Sequence, residues 1–132
     1  MNPITKKLFL FLLVCSLSAT GFAQKAYEAV YYTGKATNLE IKFMFADGYP
    51  EASEITTTHR PTRKTSQFMP EQTAPDSALH WKFNHISKTT GQPLSDYIIL
   101  DNMQLYFNTL PARITGRYYY GGKSYPFVLN KK

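Results

Sequence analysis

Cysteine is almost missing from this chain of 132 residues: Cys15 is the only one. It sits in an apolar run near the start, and if that run is removed nothing remains for a disulfide, a cysteine nucleophile or a thiolate metal site. No stretch is apolar for the roughly 20 residues that a helix needs to cross a bilayer. Acidic residues number nine and are scattered, which disfavours the paired carboxylates of a glycosidase. Glu51 and Glu54 are the only close pair, and they read as solvated residues. There is no glycine-rich phosphate loop and no Gly-x-Ser-x-Gly elbow. A helical apolar stripe is absent after residue 24. These absences leave little room for catalysis, and no enzyme, cofactor or metal is expected.

The first residues are informative. Lys6 and Lys7 form a cationic head, Leu8 to Leu17 is apolar, and Gly21 and Ala23 are the small residues a signal peptidase requires. Residues 1–23 are therefore expected to be a signal peptide cut after Ala23, leaving residues 24–132 as one domain, periplasmic or secreted. Leu12-Leu13-Val14-Cys15 resembles a lipobox, but the residue before the cysteine is the bulky Val14 where a small one is the rule. Lys6 and Lys7 leave with the leader, so the net charge of +6 falls to +4 (6 − 2). Export removes the chain from nucleic acid. Its partners are expected to be proteins, an anionic envelope surface or a small ligand. No membrane span is expected.

What is present after the leader is aromatic. All ten tyrosines lie there, with Trp81. Tyrosine and threonine favour half-buried strands, and several segments alternate with period two. Ala26 to Tyr32 reads as a strand broken at Gly34. Leu39 to Ala46 sets Leu39, Ile41, Phe43 and Phe45 on one face and Glu40, Lys42 and Met44 on the other. Asp47-Gly48 reads as a turn into a weaker strand, Glu51 to Thr58, with a three-residue loop that would place Ile41 opposite Ile55. Residues 59–77 carry Pro61, Pro70 and Pro75 and read as a long irregular loop. Leu79 to Ser87 alternates again. Tyr97 to Leu100, apolar on both faces, reads as a central covered strand, and Met103 to Asn108 as another.

The last hairpin is the best specified. Gly121-Gly122 joins Ala112–Tyr120 to Lys123–Asn130, and a two-residue loop fixes the register. Tyr118 then faces Tyr125, Gly116 faces Phe127 and Ile114 faces Leu129, all on one side. Pro126 falls opposite Arg117 with its missing N–H directed outward, which marks an edge or a barrel seam. Six to eight strands with frequent turns predict an all-β, antiparallel domain: a small barrel or strongly curled sheet, with a two-sheet sandwich second.

Two binding readings follow. In the first, the chain is a protein-interaction module (an inhibitor, an immunity-type factor or an assembly subunit). Arg113, Arg117 and Tyr119 on the outer face of the last hairpin would meet the partner, with Arg60 and Arg63 from the basic run at 60–64. In the second, aromatics line a barrel interior or groove and hold an apolar or sugar ligand, with Trp81, Tyr118, Tyr120 and Tyr125 as contacts. The histidines do not make a metal site: His80 and His85 are five apart and so point to opposite faces of a strand.

Overall fold

The computed structural model describes residues 3–7, 27–71, 80–104 and 107–132. Apart from residues 3–7, the expected leader and its cleavage site lie outside the described residues. Among those described, no helix is long and apolar enough to cross a membrane.

The domain is a closed antiparallel barrel of eight strands, each paired with the next in sequence and the last with the first. The strands are β1 (Glu28–Ala36), β2 (Leu39–Asp47), β3 (Glu54–His59), β4 (Thr65–Pro70), β5 (His80–Ile86), β6 (Pro93–Asp101), β7 (Arg113–Tyr120) and β8 (Lys123–Lys131). Up-and-down order places four short turns, at 37–38, 60–64, 87–92 and 121–122, at one end of the barrel, the turn end. The connections from β2 to β3, β4 to β5 and β6 to β7 leave from the other, the loop end.

Alternation decides what faces inward. Ile41, Phe43 and Phe45 of β2, Trp81 and Phe83 of β5, Ile98 and Leu100 of β6, and Phe127 and Leu129 of β8 are all buried. The Phe43 ring touches those of Tyr32, Phe45 and Phe83 at centroid distances of 6.0, 6.0 and 5.7 Å. An eight-stranded barrel is just wide enough for such side chains to fill it. At the loop end the Tyr32 hydroxyl donates to the Pro111 carbonyl at 2.8 Å, which ties the β6–β7 connection across the interior.

The register of the last hairpin is as predicted, with Tyr118 on Tyr125, Gly116 on Phe127 and Ile114 on Leu129. Gly121 and Gly122 both have positive φ, 59° and 76°, as a tight two-residue hairpin turn requires. The seam also lies where Pro126 points. β8 meets β1 only through Leu129, Asn130 and Lys131, opposite Gly34, Thr33 and Tyr32. From Lys123 to Val128 that side of β8 has no strand partner among the described residues.

Several expectations are corrected. β1 is not broken at Gly34 but runs on to Ala36, because Gly34 lets the seam close. A Cβ there would collide with the Val128 carbonyl and come within 2.9 Å of the Leu129 side chain. The β2–β3 connection is longer than three residues and holds a 3-10 turn, Pro50–Ala52. The Ala46 N–H donates to the Ser53 hydroxyl at 2.9 Å and fixes this longer path, so Phe43 faces Ile55 and Ile41 faces Thr57. The segment 59–77, read as irregular, contains β4, which follows a tight turn in which the Arg63 N–H donates to the His59 carbonyl. Tyr97 to Leu100 belongs to a strand with one half-exposed face, since a closed barrel has no sheet centre. No strand is found among the described residues of 103–108.

Candidate interaction face and barrel mouth

Two sets of side chains stand out, one on the outer wall and one just inside the turn end. On the outer wall of β5, β6 and β7, register sets Lys82 opposite Ile99 and Tyr97 opposite Tyr119. Four side chains stack in a row. The Lys82 ammonium lies 4.4 Å from the Tyr97 ring centre, the Tyr97 and Tyr119 rings lie 4.8 Å apart and 16° from parallel, and the Arg117 guanidinium lies 5.6 Å from Tyr119. Each cation–ring contact is worth about 0.5–1 kcal/mol at an exposed site. Arg117 also donates to Asp101 Oδ1 at 3.3 Å, and His80 Nδ1 reaches the same oxygen at 3.0 Å. An open groove of about 450 Å³ runs beside the two tyrosines to Tyr120, the glycine turn and Lys123.

Inside the turn end, Asp96 is the centre of a polar cluster. Its carboxylate accepts from the Tyr118 hydroxyl at 2.8 Å, and His85 Nδ1 lies 2.9 and 3.0 Å from its two oxygens. A carboxylate can only accept, so Nδ1 carries the proton and donates. The His85 ring stacks on Phe68 at 4.9 Å and 24°, and Tyr118 meets Phe68 edge-on at 6.1 Å. Burial raises the Tyr118 hydroxyl well above the ordinary phenol value, and its bond to Asp96 raises it further. It therefore remains a donor. The register between β5 and β6 shifts between Asn84 and Ile86, beside this cluster. Strand irregularities of this kind re-aim side chains.

The residues singled out in the sequence fall into four places. Arg113, Arg117 and Tyr119 share the outer face of β7, as predicted. Arg60 and Arg63 are not beside them; they lie in the 60–64 turn, where the Arg60 guanidinium donates to the Thr37 carbonyl at 2.9 Å. Tyr118, Tyr120 and Tyr125 gather at the barrel mouth, with Tyr118 stacked on Tyr120 at 6.2 Å and beside Tyr125 at 6.2 Å. Trp81 is not with them. It is buried against Phe83 toward the loop end, at 4.7 Å, and its Nε1 finds no acceptor among the described residues.

Strand periodicity alone does not reveal the contact of His85 with Asp96. It placed His80 and His85 on opposite faces, and the structure agrees, but it missed that each has an aspartate on the return strand. The signal was available: His80 and His85 are spaced five apart, and so are Asp96 and Asp101. Register sets His80 opposite Asp101, and His85 meets Asp96 by its side chain where the register shifts. Among the described residues no three His, Cys, Asp or Glu side chains are grouped to hold a metal ion. A second open groove, about 590 Å³, crosses the outer face of β8, β1, β2 and β3 between Lys35, Lys42 and three threonines, and none of the residues singled out lines it. Compared with known proteins, the chain matches no family model, no curated protein and no solved structure.

Proposed function

We propose that this chain acts by binding and not by catalysis, as a protein-interaction module of the cell envelope or the extracellular space, and that the outer face of β5, β6 and β7 is where the partner docks. The observation that carries the reading is the Lys82–Tyr97–Tyr119–Arg117 row. Tyrosine and arginine are enriched at interfaces and among their energetic anchors. Here the rings are held between cations before any partner arrives, so docking loses little side-chain freedom. The filled interior favours a surface mode over ligand capture inside the barrel. The polar cluster at the mouth satisfies its own hydrogen bonds, which suits a plug sealing the barrel.

The test is capture of partners from an envelope extract by wild type and by Arg113→Glu/Arg117→Glu, with circular dichroism to check the fold. Both arginines are on the solvent side, so the barrel is expected to survive. Capture should fall in the double variant, and wild-type capture should fall with added salt, because exposed charges are screened over about 10 Å at 0.1 M ionic strength. Capture that ignores both salt and the double substitution would sink the assignment of this face.

A further inference from the structure

We propose that the turn end of the barrel docks onto the surface of an anionic phospholipid bilayer. The inference does not use the Lys82–Tyr97–Tyr119–Arg117 row; it shares with that face only Tyr120 and Lys123 at the end of its groove, and it assigns Arg60 and Arg63 to a lipid surface and not to a protein partner. The topology brings the turns at 37–38, 60–64, 87–92 and 121–122 to one end. Those turns hold Arg60, Arg63, Lys64 and Lys88 and no aspartate or glutamate, and Lys35 and Lys123 flank them. The two acids nearest these turns are Glu40 and Asp96. Glu40 stands opposite Lys35 across β1 and β2, and Asp96 is drawn inward by His85 and Tyr118. Among the described residues the opposite end carries Glu28, Asp47, Glu51, Glu54, Glu71 and Asp101 against Arg113, Lys131 and Lys132, so the balance of charge reverses along the barrel axis.

The cations are held in a spread arrangement. The Arg60 N–H donates to the Asn38 carbonyl and its guanidinium to Thr37, which ties two turns together. Arg63 adopts a left-handed φ of 60° at the tip of its turn. Lys88 Nζ donates to the Thr65 hydroxyl at 3.2 Å. Cations distributed over several turns fit a plane of many phosphates and not one small anion. Apolar groups accompany them. Leu94 is 47% exposed and Tyr120 60% exposed, both at this end. An amphipathic tyrosine and a leucine beside basic residues are what an interfacial contact uses. Each basic residue near such a surface adds a favourable, salt-screened contribution.

The test uses the processed protein recovered from the exporting cell. It is sedimented with vesicles of phosphatidylglycerol and phosphatidylcholine, or of phosphatidylcholine alone, at about 0.05 M and about 0.5 M salt. Binding is expected to the anionic vesicles only, and to be lost at high salt. Arg60→Glu/Arg63→Glu/Lys64→Glu should weaken it by more than about a hundredfold. Should that variant fail to fold, Arg63→Gln/Lys64→Gln serves in its place and should weaken binding in the same direction. Leu94→Ser/Tyr120→Ser should weaken binding to the anionic vesicles at about 0.05 M salt. Lys132→Glu, at the loop end, should bind as wild type. Equal binding to both vesicle types would overturn the proposal. So would unchanged binding of the folded triple variant, or equal affinity for glycerophosphate or an acidic polypeptide in free solution.

Discussion

Phe127 lies directly over Gly116: a Cβ built on that glycine would come within 2.7 Å of the phenyl Cζ and 2.9 Å of the Ile99 carbonyl oxygen. The ring fills the space that the missing side chain leaves, a known device for glycines in strands. Gly116→Val should therefore destabilise the barrel by about 1–3 kcal/mol, the usual range for overpacking. Thr115→Val, on the exposed side of the same strand, should be close to neutral. Thermal melts of the two variants check this, and equal losses would contradict the facing.

The seam predicts a second effect. Gly34 is where β1 passes the Val128 carbonyl, and that neighbour is backbone and cannot turn aside. Gly34→Ala should cost more than an ordinary strand substitution, because the two strands must move apart to admit a methyl group. Hydrogen exchange should report the damage first at Leu129 to Lys131, the β8 residues that meet β1.

Tyr118 governs a third, pH-dependent outcome. Burial and the Asp96 bond raise its hydroxyl, so the folded state favours the neutral phenol more than the unfolded chain does. A raised value of this kind contributes stability that is whole below the ordinary phenol value near 10 and fades as pH climbs beyond it. The melting temperature should therefore fall as pH rises above about 10. Tyr118→Phe should be less stable at neutral pH by about 1–2 kcal/mol, for loss of a bond to a charged acceptor, and should lose less on further alkalinisation. Tyr32, raised by burial and by Asp47, leaves a residual slope. Parallel alkaline limbs in the two proteins would count against Tyr118 as the titrating group.

Processing supplies a fourth. Intact-mass analysis of the exported protein should find Gln24 as the first residue. A fatty-acylated Cys15 would replace a freely exported protein with an anchored one.

The strands whose alternation is strong were readable in advance, and those held by their surroundings were not. β2 and the β7–β8 hairpin carry their own facing: the first through Ile41, Phe43 and Phe45, the second through a two-glycine turn that leaves one register. β4 is different. Within Thr65–Pro70 only Phe68 is fully buried, and apart from the half-buried Met69 the rest is polar or proline. Its strand character comes from lying between β3 and β5, which the local sequence does not encode. The β2–β3 register failed for a related reason, since one hydroxyl, Ser53, sets the path of the chain. Of the candidate site, the Arg113, Arg117 and Tyr119 face followed from parity alone. The stack of Tyr97 on Tyr119 needed the β6–β7 register, and the His85–Asp96 pair needed that of β5 and β6. Trp81 was grouped with the mouth tyrosines because parity tells which face a residue takes but not how far along the barrel it sits.

Seven of the eight contacts between neighbouring strands join segments adjacent in the chain, and only the contact of β8 with β1 spans its whole length. The loop-closure entropy of that last contact is largest, and only three residue pairs offset it. Assembly can proceed hairpin by hairpin through local contacts, with ring closure as the slow, non-local step. The two ends of the barrel chain meet there, so joining Lys132 to the start of β1 and opening the chain at Gly121-Gly122 would turn the hardest contact into a local one. Such a permuted chain would keep the same barrel, with the eight pairs of β7 and β8 as its non-local closure in place of the three of β8 and β1.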